Sequence, residues 1–274
     1  MDMLDPLTAD FPTRTVQEEE EEQAQAAAIH YADPPVVMWT PTARAAFQDG
    51  KLRPKLMVAA IGPAACILLH RGCSLTQVAG SVMLGGVSLA GNTVLPSLAD
   101  RTCFMYLLNE GDTLVVACQA AVRAERAVAW TRGLFADLQP HQLVILSSLM
   151  AHEYRGPADP TESVLQYVVE THKAKGQLQH GVPYLPAGNL VSGLPAAVFS
   201  HCQARAVSAV MLLGVQLEAA PDVAYLLATA RATQTLCAAA GLNLNGKVLA
   251  DRQQLAAACA NGGEAGTASS AVYT

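Results

Sequence analysis

The chain has 274 residues, of which 51% are hydrophobic and only 15% are charged, and its formal net charge at pH 7 is −6. The negative charge is concentrated near the amino terminus, because residues 1–50 contain ten acidic and two basic side chains, whereas residues 51–274 contain 13 and 15. No basic stripe interleaved with aromatic residues is present, which excludes nucleic acid as an expected partner.

The cysteine pattern and the absence of targeting segments indicate a cellular compartment. Seven cysteines are dispersed along the chain without a CxxC pair, which is typical of buried free thiols in a reducing environment and disfavours a structural zinc site. No basic segment followed by an apolar one marks a signal peptide, and no apolar stretch reaches the roughly 18–20 residues that span a bilayer. We therefore expect a cytosolic protein, with the nucleus as a second location, and no membrane span.

Composition divides the chain into three parts. Residues 1–54 are acidic and proline-rich, and their Glu18–Glu22 run repels itself, so we predict a disordered leader. Residues 55–260 are predicted to form a single α/β domain. Residues 261–274 begin with small polar residues that are typical of a flexible linker over 261–270, and we predict a flexible tail.

The first half of the domain alternates apolar runs with turns. Leu56–Ile61 is predicted to be a buried strand that ends at Gly62-Pro63, with a helix following at residues 64–70. A bent strand is predicted over residues 80–91. Phe104–Leu108 and Leu114–Cys118 flank a Gly/Asp turn, which indicates a β-hairpin. Residues 120–138 show helical spacing, and 143–146 form an apolar run, so a β-α-β unit is expected.

The second half of the domain begins with an irregular region and then alternates helices and strands again. Residues 151–188 are expected to form surface loops, with one helix at Thr161–Lys175. The pattern then predicts a helix over 194–205, a strand over 209–215, a long helix over 221–240 closed by Gly241, and a last helix over 247–260. Strands alternating with helices predict a three-layer αβα fold around a largely parallel or mixed sheet.

Two loops carry weak signals for anion binding. Asn245-Gly246-Lys247 ends like a phosphate-binding loop, but Val248 stands where a Ser or Thr is required. Residues 188–193 precede a helix whose N-terminus could hold an anion, although an ordinary strand-to-helix turn explains the same residues better.

Signals for covalent or metal catalysis are also weak. Ser147-Ser148 lies near His152 without the GxSxG turn of a serine hydrolase. His201 and Cys202 are adjacent on a predicted helix and point about 100° apart, so they do not form an obvious dyad. The seven histidines show neither HxH nor HExxH spacing. The sequence therefore predicts no catalytic residue, no metal and no cofactor.

The last three residues form a candidate partner-binding motif. Val272 is hydrophobic, Tyr273 is aromatic, and Thr274 carries the terminal carboxylate. A frayed terminus is the ordinary interpretation of such a tripeptide, because many chains end this way by chance.

A resemblance gives the motif a context. Residues 193–203, GLPAAVFSHCQ, resemble the LPAAV-(L/F)-S-x-CQ segment of the proteasome assembly chaperone 1 family, and a polar step and an apolar strand follow as in that family. The acidic leader, the apolar strand that ends at Ile61-Gly62 and the terminal Tyr-Thr occur in the same order. The resemblance covers roughly residues 55–274 and is strongest at 193–215 and at the end.

The resemblance implies a non-enzymatic function. Members of this family form a heterodimer with the paralogue proteasome assembly chaperone 2, promote formation of the proteasome alpha ring, and insert a C-terminal motif between alpha subunits. It thus implies that Val272, Tyr273 and Thr274 bind alpha-type subunits. The alternative is a small-molecule enzyme with a nucleoside-phosphorylase-like fold, for which the sequence shows neither a phosphate site nor a base pocket.

Overall fold

The computed structural model describes residues 34–267 except 86, 88, 90, 91, 93–95, 98, 99 and 101, and for residues 261–267 it describes the backbone alone. In this part of the chain eight strands form one sheet: β1 (Val36–Trp39), β2 (Leu56–Ile61), β3 (Val78–Met83), β4 (Cys103–Leu108), β5 (Thr113–Cys118), β6 (Gln142–Met150), β7 (Gln166–Glu170) and β8 (Ser208–Gln216). The helices are α1 (Pro41–Ala45), α2 (Pro63–Gly72), α3 (Ala124–Ala136), α4 (Gly193–Ala204), α5 (Val223–Ala239), α6 (Gly246–Leu249) and α7 (Arg252–Thr267).

The sheet has a parallel centre and antiparallel edges. Its strand order is β1-β3-β4-β5-β2-β6-β8-β7. Strands β5, β2, β6 and β8 run parallel to one another, whereas β1, β3 and β4 on one side and β7 on the other pair antiparallel with their neighbours. The prediction of a largely parallel or mixed sheet is confirmed.

Helices cover both faces of the sheet, which explains why its central strands are continuous apolar runs. In β2 every residue is buried: Leu56, Val58 and Ala60 pack beneath α2, α5, α6 and α7, and the residues between them pack beneath α1, α3 and α4. Parallel strands with both faces covered lose the alternation of polar and apolar residues. The predicted three-layer αβα architecture is therefore confirmed.

Most of the predicted elements are present. The strand at Leu56–Ile61, the hairpin of β4 and β5, and the helices α3, α4 and α5 all lie where the sequence placed them. The hairpin turn contains Asn109, Glu110 and Gly111 with positive φ angles, a conformation that Asn and Gly tolerate well. Helix α5 begins at Asp222, whose carboxylate accepts a hydrogen bond from the Tyr225 N–H at 2.6 Å, and Gly241 follows it with φ of 102°.

The sheet begins earlier than the predicted leader boundary at residue 54. Val36–Trp39 pairs with β3 as the edge strand β1, and the Trp39 Nε1–H donates to the Asp137 carboxylate at 2.8 Å. The Thr40 hydroxyl oxygen then caps α1 by accepting from the Ala43 N–H. Prolines in this region flank the strand instead of interrupting it, which is where strands tolerate them.

Two other predictions are wrong. The predicted helix Thr161–Lys175 is instead the edge strand β7, because Tyr167, Val168 and Val169 favour extended backbone and complete a ladder with β8. The predicted flexible linker over 261–270 is helical as far as Thr267. Leu255 and Ala258 anchor α7 in the core, and extending a nucleated helix costs only about 1 kcal/mol for each glycine.

A glycine in β8 sets the distance between the sheet and α5. A Cβ atom on Gly214 would overlap the Tyr225 hydroxyl oxygen and lie 3.0 Å from the Thr229 methyl carbon. We expect Gly214→Ala to lower the free energy of unfolding by about 1–3 kcal/mol through overpacking, as measured by chemical denaturation. Adding Tyr225→Phe should recover part of this loss because the overlapping hydroxyl is removed. A double variant no more stable than Gly214→Ala would show that the overlap is not the cause.

Candidate partner-binding surfaces

The predicted terminal motif follows α7 in the sequence. Val272, Tyr273 and Thr274 are outside the described residues, so the structure does not place them. Because α7 runs to Thr267, only residues 268–271 separate the last described helical residue from Val272. A tether of this length reaches far less than the predicted ten-residue linker, which makes the position of α7 important for any partner that the motif would bind.

Two loops at the β7 edge of the sheet are joined by an asparagine side chain. The Asn189 Oδ1 accepts a hydrogen bond from the Arg155 N–H at 2.6 Å, and the Asn189 Nδ2 donates to the Arg155 carbonyl at 2.7 Å and to the Pro186 carbonyl at 2.9 Å. The side-chain amide thus pairs with the backbone of residue 155 as a neighbouring strand would. We call residues 151–156 and 184–190 the edge loops.

The first edge loop is also fixed from below by a tyrosine pair. Tyr154 and Tyr167 are buried with their rings stacked at 5.6 Å and their hydroxyl oxygens 2.6 Å apart. Burial and the hydrogen bond with Tyr154 raise the pKa of Tyr167 to about 12, so the Tyr167 hydroxyl stays protonated at neutral pH. This contact attaches the loop to β7 through buried side chains.

The second edge loop is fixed by a buried carboxylate. One oxygen of Glu170 accepts hydrogen bonds from the Tyr184 hydroxyl at 2.7 Å and from the Gly176 N–H at 3.3 Å, and the other lies 3.4 Å from the His180 Nε2. The hydrogen bond to Glu170 raises the pKa of the Tyr184 hydroxyl, because ionised phenolate would lose this acceptor. The Tyr184 ring is therefore held in one direction while it remains accessible.

These contacts present apolar side chains to solvent on a prearranged backbone. Tyr184 is 55% exposed and Leu190 is 79% exposed, and both belong to the second edge loop. Leu190 follows the hydrogen-bonded Asn189 and precedes Val191, which packs on the core. Rigid loops lose little conformational entropy on association, so apolar residues held in this way are suitable contacts for a protein partner.

The asparagine contact can be tested directly. We expect Asn189→Ala to lower the free energy of unfolding by about 1–2 kcal/mol, because it removes three hydrogen bonds of which two join separate loops. Amide hydrogen exchange of Arg155 should accelerate as its N–H loses its acceptor. Asn243→Ala is the matched control, because Asn243 is exposed and its side chain has no hydrogen-bond partner among the described residues. Unchanged exchange at Arg155 would contradict this interpretation of the loop.

The serine candidates do not form a catalytic site in the structure. Ser147 lines a cavity of about 20 Å³ between α2 and α5, together with Ala64, Gly214 and Tyr225. A volume of this size holds one water molecule and no nucleoside. His152 lies exposed in the turn after β6, and among the described residues neither Ser147 nor Ser148 hydrogen-bonds to its ring.

The other chemical candidates have structural roles. The His201 ring stacks on Phe135 with centroids 4.5 Å apart, whereas the Cys202 thiol is buried, and burial raises its pKa to about 12. A thiol of that pKa has a negligible thiolate fraction at neutral pH. Asn245 caps α6 by accepting from the Lys247 and Val248 N–H groups, so the Asn-Gly-Lys sequence is a helix cap. Residues 188–193 form the Asn189 contact and the turn into α4.

Two other kinds of feature are absent from the described residues. No group of three or more His, Cys, Asp or Glu side chains is placed to hold a metal ion in this part of the chain. None of the described helices combines the length and apolarity that crossing a bilayer requires.

Comparison with known families identifies the family of the chain. A model of the PAC1 family, described as proteasome assembly chaperone 4, matches residues 10–226. The chain belongs to this family of proteasome assembly chaperones. The match covers most of the chain and includes β1, both edge loops and α4.

Curated relatives of the chain are named proteasome assembly chaperone 1, the family that the sequence resembles. Proteasome assembly chaperone 1 of Danio rerio is 30% identical over 128 residues, which cover 43% of this chain and 44% of the relative. Proteasome assembly chaperone 1 of Xenopus laevis is 27% identical over 166 residues, which cover 54% of this chain and 58% of the relative. The chain thus matches about half the length of these relatives.

Solved structures share the fold of this chaperone-family chain at low sequence identity. A protein of unknown function from Thermoplasma acidophilum has a TM-score of 0.61 at 12% identity and covers 85% of this chain and 96% of its own. Pyrococcus furiosus PbaA, an archaeal homologue of proteasome-assembly chaperone, has a TM-score of 0.55 at 12% identity, with coverages of 85% and 99%. These structures support the fold alone.

Proposed function

We propose that the chain is an assembly chaperone for the proteasome core particle that acts on alpha-type subunits as a heterodimer with a paralogue, proteasome assembly chaperone 2. Membership of the proteasome assembly chaperone family is the observation that carries this proposal. The relatives from Danio rerio and Xenopus laevis, both named proteasome assembly chaperone 1, support the choice of a specific branch. A protein with this function works by binding and requires no cofactor.

The terminal residues Val272, Tyr273 and Thr274 supply one contact in this proposal. The Thr274 carboxylate exists only at a chain end, so a lysine in a partner's pocket can recognise it through a charge-assisted contact. Tyr273 contributes a large apolar body with one hydroxyl, and burial of Val272 contributes roughly 1.5 kcal/mol. After the loss of conformational entropy, three residues bind weakly by themselves.

The folded domain must therefore supply a second contact. The edge loops are suitable, because Tyr184 and Leu190 are exposed apolar side chains on a backbone fixed by Asn189 and Glu170. Joining a weak tail contact to a weak domain contact raises the overall affinity without making either contact strong. Weak multipoint binding also allows a chaperone to leave when the particle is complete.

A pull-down from native extract with the full chain tests the proposal. We expect alpha-type subunits and a paralogue of the same fold to be recovered together, and to be identified by mass spectrometry. Purified paralogue mixed with the chain should give a one-to-one complex in analytical ultracentrifugation. Recovery of neither the paralogue nor alpha subunits would overturn the proposed function. Phosphorolysis of nucleosides by the purified chain would instead favour the enzymatic alternative.

A further inference from the structure

Helices α3 and α4 lie side by side and form an apolar groove on one outer face of the molecule. Its lining includes the small residues Ala124, Ala127, Gly193, Ala196 and Ala197. Val128 lies beside them and is 52% exposed. At the carboxyl ends of the two helices the groove becomes polar at Arg132 and His201. The groove therefore has an apolar part, and we call its other end, at Arg132 and His201, the cationic end.

The cationic end has two guanidinium groups for which the described residues supply no acidic partner. Arg132 on α3 and Arg205 after α4 are both exposed, and neither makes an ion pair with another described residue. Partial burial lowers the pKa of His201 between them, and the charges of Arg205 and Arg132 lower it further. Three basic side chains in one place repel each other, and an anion would relieve that repulsion.

Nearby acidic groups do not neutralise these charges. The Asp137 carboxylate at the end of α3 accepts the hydrogen bond from the Trp39 Nε1–H. Glu125 is in the first turn of α3, seven residues before Arg132 and thus roughly 10 Å away along the helix. A backbone hydrogen bond from His172 to the Gln203 side chain adds the exposed residues His172 and Lys173 to the same end of α4.

The amino-terminal segment joins the fold beside this cationic end. Pro35 lies against α3 at Gly133, so closely that a Cβ atom on Gly133 would be 2.6 Å from the Pro35 Cγ. Gly133 is the neighbour of Arg132 in sequence. Residues 1–33 therefore precede a segment that contacts α3 one residue away from Arg132, which makes no ion pair with the described residues.

This segment carries a complementary charge within reach. Glu18–Glu22 supplies five consecutive carboxylates that precede the described residues in the sequence, and residues 23–34 separate this run from Pro35. Twelve residues, as a random coil, would span roughly 20 Å, whereas packed helices are about 8–10 Å apart. The tether gives the acidic run a local concentration on the order of millimolar at the groove.

We propose that Glu18–Glu22 binds the cationic end of the α3–α4 groove, against Arg132 and Arg205, and covers the groove in the isolated chain. The acidic run is then an intramolecular ligand, and a partner that uses this face must displace it. This inference does not depend on the proposed function, because it concerns contacts within one chain.

The test uses the full chain and its backbone amide NMR spectrum. Replacing all five glutamates of the run with glutamine should shift the amide signals of residues 128–135 and 197–205, and it should lower the pKa of His201 in an NMR titration. In the unmodified chain the same signals should move towards the variant's positions at 1 M salt, where the screening length is about 3 Å. The matched control replaces Asp2, Asp5 and Asp10 with asparagine and should leave these signals unchanged.

Three outcomes would overturn the inference. Spectra of the glutamine variant that coincide with those of the unmodified chain would show that the run does not touch α3 or α4. Equal shifts from the asparagine control would show a general charge effect instead of a local contact. Shifts that disappear on dilution would assign the occupant to the acidic run of a second copy. In a chain that already carries Arg132→Gln and Arg205→Gln, replacing the five glutamates should no longer shift the amide signals of the other residues in the ranges 128–135 and 197–205 if the inference holds.

Discussion

Replacing Trp130 with alanine is expected to lower the free energy of unfolding by about 3–5 kcal/mol. Trp130 belongs to α3, is 1% exposed, and packs within the apolar layer between the sheet and the helices α1, α3 and α4. Truncation to alanine removes the largest fully buried side chain of that layer and leaves a cavity that a close-packed core fills only in part. The loss is a large share of the roughly 5–15 kcal/mol that stabilises a typical domain.

A series at this position separates packing from hydrogen bonding. The Trp130 Nε1–H is buried without a hydrogen-bond partner among the described residues, so removing it relieves a cost that offsets part of the lost packing. Trp130→Phe keeps most of the apolar volume and should cost less than about 1.5 kcal/mol. Val128→Ala is the control on the same helix, because Val128 is 52% exposed and its change should stay within about 0.5 kcal/mol.

Chemical denaturation measures all three variants. If Trp130→Ala does not fold, Trp130→Phe still distinguishes the alternatives through its smaller expected effect. A loss at Val128 equal to that at Trp130 would show that α3 is held by its outer face and not by the core. That result would contradict the assignment of the buried layer.

Elements whose signal lies within one short stretch of the sequence were predictable. Strand β2 is an unbroken apolar run because helices cover both of its faces, and Gly62-Pro63 ends it. The hairpin at Asn109–Gly111 was predictable because a Gly/Asp turn lies between two apolar runs. Local signals of this kind need no knowledge of the rest of the fold.

Elements that depend on distant partners were not predictable. Strand β7 becomes a strand through its ladder with β8, whereas the sequence alone suggested a helix over Thr161–Lys175. Strand β1 needs β3 and the Trp39–Asp137 hydrogen bond, and the prolines around it suggested disorder. In each case tertiary contacts decided between two conformations that the sequence permits.

The candidate surfaces divide in the same way. The terminal residues Val272, Tyr273 and Thr274 follow from position in the sequence alone and stay a prediction. The pairing of Asn189 with Arg155 joins two loops, and the cluster of Arg132, His201 and Arg205 joins two helices, so neither is visible in a linear pattern. Helix packing brings these basic side chains together, and neither composition nor spacing along the chain indicates which helices pack against each other.

Removing residues 272–274 is expected to reduce recovery of alpha-type subunits by on the order of 100-fold, if the tail and the domain bind as linked contacts. The tail alone is weak, and so is the domain contact, but each raises the local concentration of the other. Loss of either partner of such a pair removes the whole advantage. Quantitative pull-down of alpha subunits with the full chain and the paralogue measures the effect.

Single changes then assign the contribution of each group. Adding one glycine after Thr274 keeps every side chain but moves the carboxylate, so a loss as large as that of the truncation would assign the main contribution to the charge-assisted contact. Tyr273→Ala removes the apolar body, whereas Tyr273→Phe removes only the hydroxyl and should cost less. Ser269→Ala with Ser270→Ala is the control, because it alters the preceding residues and leaves the motif intact.

The short separation between α7 and the motif makes one further distinction possible. Because residues 268–271 alone connect Thr267 to Val272, inserting a long Gly/Ser segment there should lower the effective concentration of the tail while its chemistry stays the same. Recovery should fall by less than it does after truncation. A chain ending at Ala271 that recovers alpha subunits as well as the full chain would remove the tail from the mechanism and leave the edge loops as the contact to test.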